Sequence, residues 1–441
     1  MSYGNYLIES DTLIFSAIQQ AISGLLLDGL DVRLTPVSRN RALLPRHILD
    51  AIHTQYGIDP IGYLSTKGLR FDAISAVPDD VALTLMAHRA TTELDARPDI
   101  SVPPINGVQW HLAHINAPEA WGMLGGPDAI GWKCKVGQID TGYMKHPAWG
   151  FADGVNSWLK TDECRNFYTP DLDSGNEQGQ ITGEDPCSGP SWGHGTRIGL
   201  TISGWTPDGD GGASFYGCAP KVPHVMARIS NTVLINDQLT AFAAALNYLV
   251  DVALVDVVNV SMGVFPSYLS DAAKTAVNNA YEKGVILICA GGQYVPPVVA
   301  PASYSRTIAV SGTTSKKQFW ANASRGPQID WSAPAADIRR ATRAQKNGPY
   351  SYSNNGDGTS YATALSTGVA ALWLTHRHTE IAMQYGKTWK RVNAFKQVTT
   401  HTAKPPTVWG DRLYGSGILD AFAALTAPLP SAQAMAPEPA I

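Results

Sequence analysis

The sequence predicts an α/β fold: a mostly parallel sheet with helices on both faces, preceded by a small α+β N-terminal domain. Three observations predict it. From Gly107 onward, short runs rich in apolar and β-branched residues recur: KVGQI (135–139), HVMARI (224–229), VDVVNVSM (255–262), GVILICA (284–290) and TIAVSG (307–312). Between them lie stretches with helical apolar spacing, at 239–250 and 269–284. Near-continuous apolar strands that alternate with helices belong to parallel sheets covered on both sides. Before Gly107 the pattern differs. RHILDAIHTQY (46–56) and DDVALTLMAHRATTELDA (79–96) read as helices, with Asp79 and Asp80 favouring the start of the second. LRFDAISAV (69–77) and ISVPPI (100–105) read as strands, and PPIN (103–106) reads as a linker.

The expected organisation is therefore an α+β domain over 1–105, an α/β domain over 106–426, and a tail over 427–441. That tail, APLPSAQAMAPEPAI, is rich in Pro and Ala without a periodic apolar face, and disorder is expected for it. The 441 residues are 44% hydrophobic, enough for a large core. The formal net charge of −4, with no run of five or more Lys and Arg, argues against a nucleic-acid partner. The first thirty residues lack a basic start. Glu9 and Asp11 precede the apolar part, and Gln19, Gln20 and Asp28 interrupt it. They read as an amphipathic helix rather than a signal peptide or membrane span. The expectations are no membrane partner, and a cytoplasmic location ahead of non-classical export.

Five cysteines at scattered spacing describe neither a disulfide scaffold nor a zinc site. Cys134, Cys218 and Cys289 lie in apolar surroundings that suit buried thiols. Cys164 and Cys187 flank a polar loop and are candidates either to pair or to stay reduced.

In open parallel sheets, ligands bind beyond the carboxyl ends of the strands. Three polar residues obey that rule. Asp140 directly follows a strand, and is either a turn residue or a carboxylate that orients a histidine. His194 stands between two glycines where a helix begins, where a general base could be presented. Ser360 follows Gly358 and Thr359 at the mouth of an apolar helical run. It is either an N-cap or a nucleophile whose N–H joins the anion-binding end of the helix. The chain order Asp140, His194, Ser360 is that of the subtilisin arrangement.

At these residues the chain resembles the subtilisin-like serine proteases. IDTGYMKHPAW (139–149), GHGT (193–196) and GTSYATA (358–364) are similar to the family's aspartate, histidine and serine motifs. YGCAPKVPHVMARI (216–229), VVNVSMG (257–263), PASYSRTIAVSGTT (301–314) and ASRGPQIDWSAPA (323–335) follow in family order, so the likeness covers about 107–425. The resemblance implies a serine endopeptidase with no cofactor. Ser360 is then the nucleophile, His194 the general base and Asp140 its orienting carboxylate. Ser261, Met262 and Gly263 form an edge that pairs with the backbone of a peptide or protein substrate. It also implies that residues 1–105 are an inhibitory, chaperone-like propeptide, the chain's own N-terminal domain acting as intramolecular inhibitor of a zymogen. Alternatives from other classes are a specialised maturation protease or peptidyl transferase, and a non-catalytic peptide-binding protein.

The pattern departs from the family at the oxyanion hole. Where the family has asparagine, an ungapped count from Gly284 places Gln293, one methylene longer, and a shift of one would place Gly292 there instead. Smaller departures are Ala364 for the usual proline and Arg197 for the usual histidine. The long stretch between Asp140 and His194 carries Asp171, Asp173, Glu184 and Asp185. It reads as a calcium site, a specificity wall or a solvated insertion. The last fits best, because no compact ligand spacing is visible.

Overall fold

The computed structural model describes residues 4–9, 35–38, 41–45, 70–75, 108–151, 157–168, 182–187, 189–207, 214–265, 267–295, 297–343, 348–406, 409 and 413–441. The chain divides into two compact units. One is Met1–His88 with Phe265–Tyr268, and the other is Arg89–Val264 with Leu269–Ile441. The division falls ahead of the linker read at 103–106.

Within the first unit, β1 (Gly4–Glu9), β2 (Thr35–Ser38), β3 (Arg41–Pro45) and β4 (Arg70–Ser75) form an antiparallel sheet in the order β2-β3-β1-β4. The expected strand at 69–77 appears as β4. Residues 4–9 correct the expectation of a helix near the N-terminus: GNYLIE is a central strand, paired on both sides. Its Tyr, Leu and Ile suit a pleated surface, and the pairing partners lie tens of residues away, out of reach of a local periodicity. The helices expected at 46–56 and 79–96 and the strand expected at 100–105 lie outside the described residues.

The second unit is built on a seven-stranded sheet. Its strands are β5 (Val136–Asp140), β6 (Arg165–Asn166), β9 (His224–Arg228), β10 (Val257–Val260), β11 (Ile286–Ala290), β12 (Ile308–Thr313) and β13 (Trp331–Pro334). The order is β13-β12-β11-β10-β5-β9-β6, and every pairing is parallel. The short ribbon of β7 (Trp205–Thr206) and β8 (Phe215–Tyr216) lies outside this sheet, as does the hairpin of β14 (Ile338–Arg343) and β15 (Tyr350–Gly356). All residues of β5, β9, β10, β11 and β12 are buried, as two-sided coverage requires.

The helices in chain order are α1 (Trp110–His114), α2 (Ala117–Gly122), α3 (His194–Ser203), α4 (Leu239–Asp251), α5 (Asp271–Glu282), α6 (Thr359–His376), α7 (His378–Gln384), α8 (Trp389–Thr402) and α9 (Ala421–Thr426). Strand alternation assigns them to faces. A side chain at Gly137 would meet Leu249 of α4, whereas its neighbour Gln138 bonds to Gly195 of α3. Asn259, in register with Gln138, bonds to Thr367 of α6. So α3 and α6 cover one face and α4 the other, with α5 packed beside α4. The central helix α6 is buried nearly all round, which fits its run of Ala, Leu, Val and Trp.

The tail corrects its expectation too. Ala432 is buried within a short 3-10 turn at Ala432–Ala434. Asn393 donates to the carbonyl of Ala436 at 2.9 Å, and Arg306 donates to the carbonyls of Glu438 (2.8 Å) and Pro439 (2.9 Å). The amide of Glu438 donates to the Tyr281 hydroxyl at 2.8 Å. An extended backbone needs no periodic apolar face when side chains of the body satisfy its polar groups. Among the described residues no helix is long and apolar enough to cross a membrane.

Candidate active site

Asp140 is the last residue of β5, and its side chain is fully buried. Three donors hold it. Oδ1 accepts from the Thr141 amide at 2.7 Å and lies 2.7 Å from His194 Nδ1, while Oδ2 accepts from Gln138 Nε2 at 3.0 Å. His194 opens α3, where Gly195 packs so tightly that a Cβ there would sit 2.2 Å from the carbonyl oxygen of Gly142. The glycine therefore brings the start of α3 onto the loop that follows Asp140. Across the ring, His194 Nε2 lies 3.2 Å from Ser360 Oγ. The three residues separated in sequence form one hydrogen-bonded line.

Ser360 is the second residue of α6, so its N–H has no acceptor within the helix. The preceding Gly358 has φ +148°, a conformation that side chains other than glycine rarely adopt, and this turn delivers Ser360 to the helix mouth. Ser360 Oγ is also 3.3 Å from the carbonyl of Ser261, so its one proton is shared between that oxygen and His194. Ser261 returns the contact: its hydroxyl donates to the carbonyl of Ser360 (3.2 Å) and to Asn259 Oδ1 (2.9 Å).

Gln293 lies beside this turn. Its Oε1 accepts from the Thr359 amide at 3.1 Å, capping the first N–H of α6 and leaving the amide NH₂ as the side chain's donor end. Gly292, the other residue weighed for this role, has φ +104°, and a Cβ there would meet Ser324 and Val299 at 2.9 Å.

Of the expected substrate edge, Ser261 and Met262 are buried, and Gly263 is already paired. Its amide donates to the carbonyl of Val233 at 3.0 Å, and its carbonyl accepts from the Ile235 amide at 3.0 Å. The segment 233–235 thus holds the backbone groups of Gly263 that an added strand would use.

The acidic stretch before His194 differs from a solvated insertion at Asp185, which is 6% exposed. One carboxylate oxygen accepts from the Gly193 amide at 2.6 Å and from the Thr141 hydroxyl at 3.3 Å. The other accepts from the Cys187 amide at 2.7 Å. Thr141 Oγ1 in turn accepts from the Gly195 amide at 3.0 Å. Asp185 thus ties the loop after Asp140 to the first turn of α3. Burial pushes its carboxyl up from the usual range, against the hydrogen bonds from Gly193 and Cys187 and the charges of Arg228 and Arg197. A signal existed in the sequence: Glu184-Asp185 lies shortly before GHGT, but only the long-range bridge of Tyr143 to Glu184 puts it under the helix. Glu184 remains exposed, and Asp171 and Asp173 lie outside the described residues. Among the described residues no group of three or more His, Cys, Asp or Glu could hold a metal ion.

No disulfide joins Cys164 to Cys187: Cys164 Sγ accepts from the Met226 amide at 3.2 Å, and Cys187 Sγ is 3.4 Å from Met144 Sδ. Cys134, Cys218 and Cys289 are buried thiols, with burial pushing all three up from the usual thiol range, Cys134 to about 12.

A family model described as the subtilase family, Peptidase_S8, matches residues 131–417. The chain belongs to the subtilase family. Among curated relatives, the subtilase domain is similar to the minor extracellular protease Epr of Bacillus subtilis (strain 168), 28% identical over 272 residues. That match spans 60% of this chain and 35% of the length of Epr. It is also similar to the major intracellular serine protease of the same organism, 27% identical over 61% of this chain and 75% of that protein. Two solved structures share the fold. One is MycP1 with its N-terminal propeptide removed, at TM-score 0.53 and 22% identity over 73% of this chain and 98% of that one. The other is a protease of Pseudoalteromonas arctica PAMC 21717, at TM-score 0.57 and 22% identity over 72% and 96%. The seven-stranded parallel sheet with its covering helices is the subtilisin-like α/β fold.

Proposed function

We propose that the chain is a serine endopeptidase that hydrolyses peptide bonds through an acyl-enzyme on Ser360. The observation that carries this reading is the continuous line from Asp140 through His194 to Ser360, with distances of 2.7 and 3.2 Å. Ser360 Oγ attacks the scissile carbonyl as its proton passes to His194 Nε2, which then delivers it to the leaving amine. Asp140 accepts from Nδ1–H, fixes the tautomer and stabilises the imidazolium. Water repeats the sequence to release the acid. The N–H of Ser360 and the free NH₂ end of Gln293 are the oxyanion donors, one from a helix mouth and one from the strand-end loop beside it. Relatives named as proteases support the reading. Labelling of the full chain by a fluorophosphonate, abolished in Ser360→Ala, tests it. An unlabelled parent, both before and after removal of residues 1–106, would sink it.

The zymogen is part of the same proposal: residues 1–105 act as an intramolecular inhibitor and folding aid, removed by a cut near Asn106-Gly107. Mass spectrometry over time should show that cut in the parent and not in Ser360→Ala. One observation favours a narrower reading, a maturation protease with few substrates: the backbone of Gly263 is held by Val233 and Ile235. Product masses from a mixed peptide pool decide, since cleavage of many unrelated peptides contradicts restriction.

A further inference from the structure

Two donors on Asp140, the Thr141 amide and Gln138, play no part in the mechanism above, and Gln138 is the one that reaches Oδ2. Gln138 lies two residues before it on β5, so the two side chains share a face of the sheet, and neither is exposed. Gln138 Nε2 donates to Asp140 Oδ2 at 3.0 Å and to the carbonyl of Gly195 at 3.0 Å. Its Oε1 lies 3.0 Å from Nε2 of His224, the first residue of β9. His224 is also fully buried, and its Nδ1 lies 3.2 Å from the Ser203 hydroxyl.

These contacts have only one consistent polarity. If the carboxamide were reversed, its oxygen would face a carboxylate and a carbonyl. Its oxygen must therefore face His224, which must carry its proton on Nε2; Nδ1 then faces the Ser203 hydroxyl, whose one proton is shared with the Gly199 carbonyl at 3.1 Å. Burial holds this imidazole down to about 3, against the pull of the Asp140 charge, so the ring is neutral. The room for the arrangement comes from Gly199 of α3, where a Cβ would lie 2.6 Å from Gln138 Oε1.

We propose that Gln138 is a positioning residue for Asp140, held in its donating orientation by the buried imidazole of His224. The hydrogen bond to Oδ2 aims Oδ1 at His194. His224 acts one step further back, by making the other carboxamide orientation unfavourable. The proposal rests on Asp140, His194 and Ser360 acting as described under the proposed function. Asp185, which ties the loop after Asp140 to α3, lies in the field of Arg228 and Arg197. Arg228 is in register with Asp140 and donates to the carbonyl of Thr141.

The test uses the full chain and the variants Gln138→Met, His224→Phe and His224→Gln. The Nδ1–H proton of His194 is followed by NMR of ring-labelled histidines, with its signal identified by loss in His194→Ala. Without the Gln138 donor Oδ1 is no longer held in line with Nδ1, so in Gln138→Met that proton signal should shift and exchange faster with water. The misaimed carboxylate should lower kcat by roughly 10- to 100-fold, with KM nearly unchanged. His224→Phe should move both readouts the same way by less, and adding it to Gln138→Met should change nothing further. His224→Gln, which restores an N–H donor, should recover parental values. It and His224→Phe carry the test if Gln138→Met fails to fold. An unchanged Nδ1–H signal of His194 in the donor-deleted variants, or additive effects of the two sites, would overturn the proposal. The proton signal is read without turnover, so an inactive parent that shows the expected shifts refutes the protease reading and upholds the positioning role.

Discussion

His224 should make the protein lose stability at a pH where most proteins do not. Burial lowers this imidazole from 6.5 to about 3, so it folds neutral. A group whose ionisation is depressed on folding contributes stability that is fully present above its unfolded value and is lost as pH falls toward the folded one. For His224 that window runs from about pH 6.5 down to about 3. Well inside it each pH unit removes about 1.4 kcal/mol, and between pH 7.5 and 5 the loss sums to about 2 kcal/mol. His111 is held down to about 3 by burial and then by the charges of Arg339 and His114, and His146 to about 4 chiefly by burial. Both add losses of the same sign. Asp185 and Asp330 act in the opposite sense, because burial raises their carboxyls and folding then favours the protonated form. A comparison of variants cancels all of these. In a Ser360→Ala background that prevents self-digestion, urea unfolding is measured at pH 7.5, 6.5, 5.5 and 5 with and without His224→Gln. The background should become less stable than the variant by about 2 kcal/mol more at pH 5 than at pH 7.5. A stability difference that stays constant over this range would refute the reasoning, since it would mean that His224 titrates alike in the folded and unfolded chains.

Gln293→Leu, which deletes the amide but keeps the bulk, should lower kcat by about 10²- to 10³-fold with little change in KM, the loss known when a subtilisin is deprived of its side-chain oxyanion donor; steady-state kinetics on one peptide checks it. Asp185→Asn should lower stability by about 1–3 kcal/mol, because a single carbonyl oxygen cannot serve Gly193 and Cys187 as well as the carboxylate does, and one buried N–H then faces an NH₂; urea unfolding of the inactive background measures it. Gly199→Ala puts a methyl 2.6 Å from both Gln138 Oε1 and Trp149 Cη2, and should cost about 1–3 kcal/mol in the same assay. Removing 436–441 takes away the carbonyls that Arg306 binds, and should lower the unfolding midpoint although no residue near Ser360 is touched.

Much of this architecture can be read from the chain because parallel strands buried on both faces must be apolar, so KVGQI, HVMARI and GVILICA stand out locally. Asp140, His194 and Ser360 are legible for a related reason, since each follows a strand or opens a helix at one sheet edge. Less legible are residues whose roles depend on distant partners. Gln138 and His224 look like polar blemishes in apolar runs, and only the β5–β9 register brings them together. Asp185 resembles its exposed neighbours until Tyr143 and Gly183 pair and draw it beneath α3. The strand at Gly4–Glu9 and the packed tail are set by β3 and β4 in one case and by Arg306 and Tyr281 in the other. None of those partners leaves a mark in the local sequence.

The two hydrogen bonds between Gly263 and the 233–235 segment have a kinetic meaning. If a substrate pairs with the Gly263 edge as proposed, it binds only molecules in which that segment has let go. At about 1 kcal/mol per bond, roughly 3% of molecules are open at any instant. The apparent affinity is then the intrinsic one reduced about thirtyfold, so a substitution that weakens the clasp tightens binding without touching the peptide. Under this view selectivity resides partly in how often the door stands ajar.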